Sequence, residues 1–497
     1  MTEKILNNHT LEQLPASVTR PGYDRNAVTP GIVHLGTGAF HRAHQARYTE
    51  EVLENGETGW GIIGSSLRSP TVRDQLAPQD YLYSLVEKGN DGEKIRVIGC
   101  IQDLHVAPES PRALLDTLAR DEIRVVSLTI TEKGYCHDPA TGNLNLDHPD
   151  IRHDLDNPQA PKSALGFIVY ALRERMEKGL PGFTLLSCDN LPSNGKLLEQ
   201  MVSGFARAVD SGLAQWVAEN TSCPCTMIDR IVPATTDADR DALEKTLGVR
   251  DNAAVMAEPF TQWVVEDNFV RGRPGWEKAG VTFVDDVEPY EWIKLRLLNG
   301  CHSLLAYSGY LAGFETVADV MAEPAFAALA KQFLANEASA AVEAPEGFDL
   351  QHYQQQLLER FSNRALRHRT WQIAMDGSQK IPQRWLGTLR HQLENGGAID
   401  LLTFALACWI RYVGAEDDAG KPIEVSDPLA VELKALCDRH RDTPRELADA
   451  FLAYTPVFGS DLRYNQRLQE ALTNWLTTLG SQGVLKSVRM QMQTSVA

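Results

Sequence analysis

Residues 290–302 contain three side chains that together could move a proton and polarise an oxygen: Lys294, Asn299 and His302. If the segment is an α-helix, each residue advances by about 100°, so His302 lies about 80° and Asn299 about 140° from Lys294. Taken singly, they are better explained as a surface lysine, a packing asparagine and a core histidine. Their position on one flank of one helix favours a chemical role.

The same segment is rich in leucine, at Leu297, Leu298 and Leu304, which predicts that the helix is buried. A buried lysine is costly as a cation unless it is paired. Desolvation lowers the pKa of a lysine, which would bring Lys294 towards the range useful for proton transfer at neutral pH. The sequence therefore predicts Lys294 as the proton-transfer group.

A second polar group, Asn190, follows the predicted buried strand 183–188. Ligands of α/β proteins bind at the carboxyl ends of parallel strands. The Asn190 amide is therefore placed to donate a hydrogen bond to a substrate oxygen. The alternative is that Asn190 caps the helix that follows, which is a common role of asparagine.

A glycine-rich loop follows the short apolar run at residues 31–35. In such a loop, backbone N–H groups and a helix N-terminus can hold a pyrophosphate. A histidine, His41, stands where the usual fingerprint has its third glycine, so the motif is weak by itself. The predicted cofactor-binding residues of this loop are Gly36, Thr37, Gly38, Ala39 and Phe40.

The end of the second predicted strand is where an acidic residue for the adenosine ribose is expected. Residues 65–71 contain no carboxylate, but they contain Arg68. Arg68 could hold the 2′-phosphate of NADP or could be a solvated surface arginine. We expect NAD as the cofactor, and this segment leaves NADP open.

Predicted strands and helices alternate along the first part of the chain, which indicates an α/β fold with a mostly parallel, doubly wound sheet. Residues 81–86 and 94–101 flank turn residues and resemble an inserted β-hairpin. After about residue 286, apolar residues recur at helical spacing and strand signals become rare. We therefore predict a dinucleotide-binding domain at residues 1–286 and a mainly α-helical domain at residues 287–497.

The overall composition limits the classes of molecule that this protein could bind. The net charge of −18 argues against nucleic acid and a basic membrane anchor. The longest apolar stretch, residues 401–410, is too short to cross a bilayer and predicts a buried helix. The scattered cysteines and the pair His41 and His44 lack the spacing of a metal site, so no metal is expected. These features predict a cytoplasmic protein with no obligate protein partner.

Several motifs in one order resemble the polyol-specific long-chain dehydrogenases, also called the mannitol dehydrogenase family. The resemblance covers residues 30–480 and rests on the Lys294 segment and on IVHLGTGAFHRAHQA, SLTITEKGY, SCDNLPSNG and MIDRIVP. It implies a Rossmann-type N-terminal domain, a helical C-terminal domain, an active site between them, and a reaction that needs no metal.

The resemblance also implies roles for individual residues. Lys294 corresponds to the general acid/base, Asn190 and Asn299 to the pair that polarises the reacting oxygen, and His302 to the residue that orients substrate and lysine. Glu291 corresponds to a carboxylate that gates proton exchange with solvent. The substrate-contacting positions implied by the resemblance, or by the basic stretch after residue 366, are Asp229, Arg369, Gln372 and Lys380.

Within the family, residues 366–384 are most like the members that interconvert D-fructuronate and D-mannonate. Gln372 stands where an arginine is expected in mannitol 2-dehydrogenases, which counts against mannitol. A cluster of Arg367, Arg369, Lys380 and Arg384 in an acidic protein could pair with a uronate carboxylate, or could be a solvated helix face. The open alternatives are a mannitol 2-dehydrogenase or related polyol or tagaturonate dehydrogenase, and a non-catalytic dinucleotide sensor, which would have no need of the lysine and asparagines.

Overall fold

A computed structural model describes residues 4–138 and 141–494. The chain divides into two compact units between Glu288 and Pro289. The first unit is α/β and the second is helical, so the predicted fold class is confirmed. The strands are β1 Pro30–Leu35, β2 Gly61–Ser66, β3 Tyr83–Gly89, β4 Gly92–Ile98, β5 Ile101–Val106, β6 Val125–Leu128, β7 Thr184–Ser187, β8 Thr226–Asp229, β9 Val255–Ala257, β10 Gln262–Glu266 and β11 Thr282–Val284.

The main sheet of the first unit has the order β5-β2-β1-β6-β7, and all its pairings are parallel. Neighbouring residues on a strand belong to different cores. Ile32 and Val125 pack in one core, whereas Val33 and Val126 pack in the other. The sheet is therefore covered on both faces, which explains why its strands are continuous apolar runs.

Helices of the first unit cover these two faces. The chain breaks at His44, with φ −120° and ψ −89°, which separates the helix Ala39–Ala43 from the helix Gln45–Glu54. The α-helices are Asn8–Leu11, Ala39–Ala43, Gln45–Glu54, Thr71–Leu76, Pro111–Leu118, Pro149–Asp156, Ala164–Glu177, Asn194–Val209, Ser211–Asn220 and Asp237–Leu247.

Two three-stranded sheets complete the first unit. The predicted hairpin forms between β3 and β4, and β9 joins it in parallel. Its second arm ends at Ile98 rather than at the predicted residue 101, because Ile101 begins β5 of the main sheet. The other small sheet has the order β11-β10-β8, with Asp229 as the last residue of β8.

The second unit is built from helices. The predicted buried helix at residues 401–410 is confirmed within Asp400–Val413, and nearly all of its side chains are buried. Within the described part of the chain, no helix is both long and apolar enough to cross a membrane. The α-helices are Glu288–Ile293, Gly300–Leu311, Val317–Ala322, Pro324–Gln332, Leu350–Phe361, Thr370–Ala374, Gly377–Ile381, Gly387–Glu394, Asp400–Val413, Ala430–Arg439, Pro444–Leu452, Thr455–Phe458, Gln466–Gln482 and Val484–Thr494.

Three segments of this unit are π-helical: Lys294–Asn299, Phe333–Ala338 and Pro382–Leu386. A π turn holds one more residue than an α turn and is often found at functional sites. Two of the three contain residues that the sequence singled out.

Candidate active site

The loop after β1 has the conformation that close approach of a ligand requires. Gly36 has φ +93°, and a Cβ there would lie 2.2 Å from the Thr129 carbonyl oxygen. The Thr37 hydroxyl accepts a hydrogen bond from the Ser65 N–H at 3.0 Å, which ties the loop to the end of β2. A Cβ on Gly38 would meet only the Gly36 oxygen, at 3.7 Å, so the space above Gly38 is open within the described chain.

The residues next in this loop are partly buried Ala39 and Phe40, and the Phe40 ring stacks on His44 at 5.1 Å. Open space at Gly38 fits a phosphate group near the backbone. Arg68 is exposed beyond the end of β2, with no ion pair among the described residues. The first unit therefore has a loop suited to a dinucleotide, and Arg68 is free to meet solvent or a ligand.

The histidines of this loop are packing groups. His41, which stands in place of the third glycine, stacks on His34 with ring centroids 3.5 Å apart. His34 is hydrogen-bonded to the hydroxyls of Ser127 and Thr129, each at 2.8 Å. Burial lowers the pKa of His34 to about 3 and that of His41 well below its usual value. Among the described residues, no group of three or more His, Cys, Asp or Glu side chains is arranged to hold a metal ion.

The strand ends of the first unit carry Asn190 and Asp229. Asn190 is exposed after β7, and the cap of the next helix is Ser193 rather than Asn190. Asp229 is buried at the end of β8, with 4% exposure. Asn190 follows a strand of the parallel sheet, at the edge where α/β domains bind ligands, whereas Asp229 ends a strand that pairs antiparallel with β10 in a separate sheet.

Asp189, the neighbour of Asn190, is a positioning residue that the sequence argument missed. Its carboxylate accepts hydrogen bonds from the Ile130 and Thr131 N–H groups at 3.0 and 2.9 Å and from the Tyr135 hydroxyl at 2.9 Å. It thus joins the loops after β6 and β7, and holds Thr131 in a left-handed conformation with φ +62°. The sequence feature that could have indicated this positioning role is an acidic residue directly after a buried strand.

In the second unit, Lys294, Asn299 and His302 lie on one continuous segment, and each is 8–9% exposed. The predicted burial of this segment is confirmed, with Leu297 and Leu304 fully buried. The predicted regular α-helix is wrong for residues 294–299, which form a π turn. The Gly300 N–H donates to the Leu295 carbonyl, five residues back. Residues five apart, such as Lys294 and Asn299, therefore lie closer to one line along the axis than α-helical spacing places them.

The second π turn of this unit supports the first. The Trp385 indole N–H donates to the Gly300 carbonyl at 2.9 Å. Arg384 donates to the Ser303 hydroxyl at 2.8 Å and to the Asn299 carbonyl at 3.4 Å. A π turn disturbs the regular hydrogen-bond ladder, so these side chains satisfy backbone groups and fix the position of Asn299.

The side chains of Asn299 and His302 make no hydrogen bond to other described residues. The His302 ring packs against Phe361 and His368, at centroid distances of 5.3 and 4.8 Å. Burial lowers the pKa of His302 well below its usual value, and nearby cationic groups lower it further. His302 is therefore neutral at pH 7 and able both to donate and to accept a hydrogen bond.

The other predicted positions of the second unit differ in exposure. Glu291 is partly buried one turn before the π turn, and Gln372 is exposed. Arg369 is exposed and lies 3.4 Å from the Glu315 carboxylate. Lys380 donates to the Met375 carbonyl at 2.6 Å, and burial lowers its pKa to about 8. Of these, the Lys380 ammonium is the one placed among the groups around His302.

A parallel sheet covered on both faces, with a glycine loop after its first strand, defines a Rossmann-type domain, and a helical unit bearing a buried lysine follows it. Family models of this kind match the chain. The mannitol dehydrogenase Rossmann domain matches residues 30–278 and the mannitol dehydrogenase C-terminal domain matches residues 286–480. The chain belongs to the mannitol dehydrogenase family of oxidoreductases, as the resemblance implied.

Relatives of different activities align with the chain along its length. D-mannonate oxidoreductase of Escherichia coli K12 is 46% identical over 95% of this chain and 97% of its own. Mannitol 2-dehydrogenase of Aspergillus fumigatus is 39% identical over 97% of this chain and 98% of its own. The solved ternary complex of Pseudomonas fluorescens mannitol 2-dehydrogenase with NAD and D-mannitol is 39% identical, with a TM-score of 0.86 over 98% of this chain and 99% of that one.

Proposed function

We propose that this protein interconverts D-fructuronate and D-mannonate with a nicotinamide cofactor, and that Lys294 is the general acid/base. The observation that carries the proposal is the buried segment on which Lys294, Asn299 and His302 lie together, with the amide and the imidazole making no hydrogen bond to other described residues. The 46% identity to a D-mannonate oxidoreductase supports the choice of substrate.

The cofactor site is the loop from Gly36 to Phe40. Open space at Gly38 and the fixed turn at Gly36 fit the pyrophosphate of a dinucleotide. A bound nicotinamide would supply or accept the hydride. NAD is our first choice because the Pseudomonas fluorescens relative was solved with it. An exposed Arg68 beyond β2 keeps the 2′-phosphate of NADP as the second choice.

Proton transfer is the task of Lys294. In reduction at C5, the Lys294 ammonium gives its proton to the oxygen that becomes a hydroxyl, and in oxidation the neutral amine removes that proton. The Asn299 amide donates a hydrogen bond to the same oxygen, and Asn190 is proposed as the second donor. These donors stabilise the alkoxide as it forms, as an oxyanion hole does.

The remaining predicted residues are assigned to substrate binding and to proton exchange with solvent. Neutral His302 orients the substrate hydroxyls and the lysine, and Glu291 passes the proton between Lys294 and solvent. Asp229, Lys380, Gln372 and Arg369 are proposed as substrate contacts. Among these, Lys380 is supported by its burial near His302, whereas Arg369 is exposed beside Glu315.

Oxidation of mannitol is the second candidate activity. Two relatives at 39% identity are mannitol 2-dehydrogenases, and one was solved with D-mannitol. An uncharged polyol has no need of a cationic group at the end of its chain. The exposed Gln372, in place of the arginine expected in mannitol enzymes, disfavours this alternative.

The role of Lys294 is tested by Lys294→Ala. Loss of a general acid/base typically costs about a hundredfold to ten-thousandfold in turnover. We expect that loss in kcat for both D-fructuronate reduction and D-mannonate oxidation, with unchanged binding of NADH measured by fluorescence titration. The control is Lys331→Ala, an exposed lysine of the same unit, which should leave kcat unchanged. Near-normal kcat in Lys294→Ala would exclude the proposed role.

The substrate is tested with the wild-type protein. Values of kcat/KM are measured for D-mannonate, D-mannitol and D-arabinitol in oxidation, and for fructuronate and tagaturonate in reduction, each with NAD(H) and NADP(H). We expect D-mannonate and fructuronate to have the highest values. A higher value for D-mannitol than for D-mannonate would replace the first activity with the second.

A further inference from the structure

Positive side chains surround His302 in the second unit. Burial is the main reason that the pKa of His302 is lowered, and the neighbours that add to the shift are His368, Arg384, Arg360 and Lys380. We call these four residues the His302 cluster. They lie within residues 360–384, on successive helices and the loop between them, and folding brings them close to His302 in a protein whose net charge is −18. Burial lowers the pKa of His368 to about 4, so the cations of the cluster at pH 7 are Arg360, Lys380 and Arg384. Such a concentration of positive charge favours an anion.

Within this cluster, the guanidinium of Arg384 has no anionic partner among the described residues. One of its terminal nitrogens donates to the Ser303 hydroxyl at 2.8 Å and to the Asn299 carbonyl at 3.4 Å, and both acceptors are neutral. Its other two nitrogens make no hydrogen bond to the described chain. Burial lowers the pKa of Arg384 to about 10. A partly buried cation without a counter-charge is costly, so the site is more stable with an anion bound.

The side chain itself is suited to a carboxylate. A guanidinium presents parallel N–H donors that match the two oxygens of a carboxylate, and this pairing is both strong and directional. We infer that Arg384 binds the carboxylate of the sugar-acid substrate and selects it over an uncharged polyol. This inference rests on the proposed function and names the group that recognises its substrate class.

The position of Arg384 agrees with the length of the substrate. One terminal nitrogen of Arg384 contacts both the Asn299 carbonyl and the Ser303 hydroxyl, so the guanidinium lies beside the helical turn that follows Asn299. In D-mannonate, four carbon–carbon bonds of about 1.5 Å separate the carboxyl carbon from C5, and they span roughly 5 Å when extended. If the Asn299 amide contacts the oxygen on C5, the carboxylate lies roughly 5 Å away, within the neighbourhood of a guanidinium that contacts Asn299 and Ser303.

The other basic residues of the same stretch are less suited. Arg367 and Arg369 are exposed, and Arg369 is already beside the Glu315 carboxylate. The Lys380 ammonium donates to two backbone carbonyls and is influenced by the nearby acids Asp376 and Asp427. Arg384 combines partial burial, two unused nitrogens and the absence of an acid among its described contacts.

The test combines a charge change in the protein with a charge change in the substrate. Arg384→Gln keeps a donor for Ser303 and Asn299 but removes the positive charge. Oxidation of D-mannonate is compared with oxidation of its uncharged primary amide, and kcat and KM are measured separately for each. The matched control is Arg439→Gln, which removes the same charge from an exposed position of the same unit.

We expect Arg384→Gln to lower kcat/KM for D-mannonate by about a hundredfold, mainly through a higher KM, and to change the value for the amide by less than about threefold. The preference for the acid over the amide then disappears. Arg439→Gln should retain the wild-type preference. An Arg384→Lys variant should recover part of the preference, because it restores the charge without the paired donors.

Two results would overturn the inference. Equal losses for the acid and the amide would mean that Arg384 supports the π turn and does not recognise charge, and unchanged kinetics would mean that it does neither. Failure of the proposed function gives a different result, since wild-type protein would then prefer D-mannitol to D-mannonate before any residue is changed.

Discussion

The two units of this protein place their candidate site residues in different ways. In the first unit, Asn190 and the Gly36 loop follow strands of a parallel sheet, and backbone geometry decides what space is left open. In the second unit, Lys294 and Asn299 lie on a π turn. The carbonyls of Asn299 and Gly300 accept hydrogen bonds from Arg384 and Trp385. In the sheet unit, the order and direction of the strands decide where the candidate site residues lie. In the helical unit, the spacing of residues along the helix decides it.

Two buried carboxylates show the same contrast. Glu50 lies on the regular helix Gln45–Glu54, and one of its oxygens accepts from Tyr23, Gly99 and Cys100 at 2.8–2.9 Å. Glu337 lies in the π turn Phe333–Ala338, and each of its oxygens accepts one N–H from the first turn of the helix Asp400–Val413. Helix N-termini leave such N–H groups without partners, and Glu337 supplies the partners.

The largest effect is expected from two glycines of the first unit. Gly36→Ala places a Cβ 2.2 Å from the Thr129 carbonyl in a left-handed backbone, which costs at least about 2 kcal/mol. We expect the midpoint of thermal unfolding to fall by several degrees and dinucleotide binding to be lost.

Gly38→Ala serves as the matched variant, because its Cβ meets nothing closer than 3.7 Å. It should leave the unfolding midpoint unchanged and weaken NADH binding at least about tenfold, since the methyl group occupies the space proposed for phosphate. Equal stability of the two alanine variants would contradict the backbone argument. Normal NADH binding by Gly38→Ala would contradict the assigned position of the phosphates.

A smaller effect distinguishes the two carboxylates. In Glu337→Gln, one N–H of the helix Asp400–Val413 faces an NH₂ group, so the variant should lose about 1–3 kcal/mol of stability. In Glu50→Gln, the amide oxygen can replace the oxygen that accepts three hydrogen bonds, and the NH₂ group takes the place of an oxygen that has no partner. Thermal unfolding should therefore show a clear loss for Glu337→Gln and little change for Glu50→Gln. A larger loss of stability in Glu50→Gln than in Glu337→Gln would contradict this account of the two carboxylates.

The smallest effect is a dependence of stability on pH. Burial raises the pKa of both Glu50 and Glu337 from 4.5 to about 7. Between pH 4.5 and pH 7, the folded chain holds more protons on these two groups than the unfolded chain does. Their contribution to the free energy of unfolding is therefore full below pH 4.5 and falls as the pH rises through 7. Buried histidines such as His34 act in the opposite direction, because burial lowers their pKa.

The contribution of one carboxyl is isolated by the difference between wild-type protein and Glu50→Gln, since the histidines are common to both. We expect the unfolding midpoint of the wild type, relative to that of the variant, to fall between pH 5 and pH 7.5. A constant difference over that range would mean that the carboxyl does not change its proton affinity on folding.

Much of the first unit was predictable from local patterns. The apolar runs before Gly36 and Asn190 mark strands, and their alternation with helices predicts a parallel sheet. The break at His44 and the hydrogen bonds of Asp189 were not predictable, because both depend on partners that are distant in the sequence. The Asp189 carboxylate, for example, is held by N–H groups of residues 130 and 131.

In the second unit, the sequence predicted which segment carries the lysine and that it is buried, but not its register. A π turn differs from an α turn by one residue, and no residue type marks it. Arg384 and Trp385, far along the chain, donate hydrogen bonds to the carbonyls of Asn299 and Gly300 in and after this turn. The contacts of Arg384 were equally hidden, since three other basic residues lie in the same stretch.

The sequence by itself determined the chemical groups of this protein, the division into a sheet unit and a helical unit, and the membership of a dehydrogenase family. These depend on residue types and short spacings, which local physics and family motifs express directly. The tertiary structure alone decided which cation lacks a counter-charge among the described residues and which helical turn widens. Those properties depend on contacts between distant segments, and the free energy of a buried charge or carbonyl is set by the partners that folding brings to it.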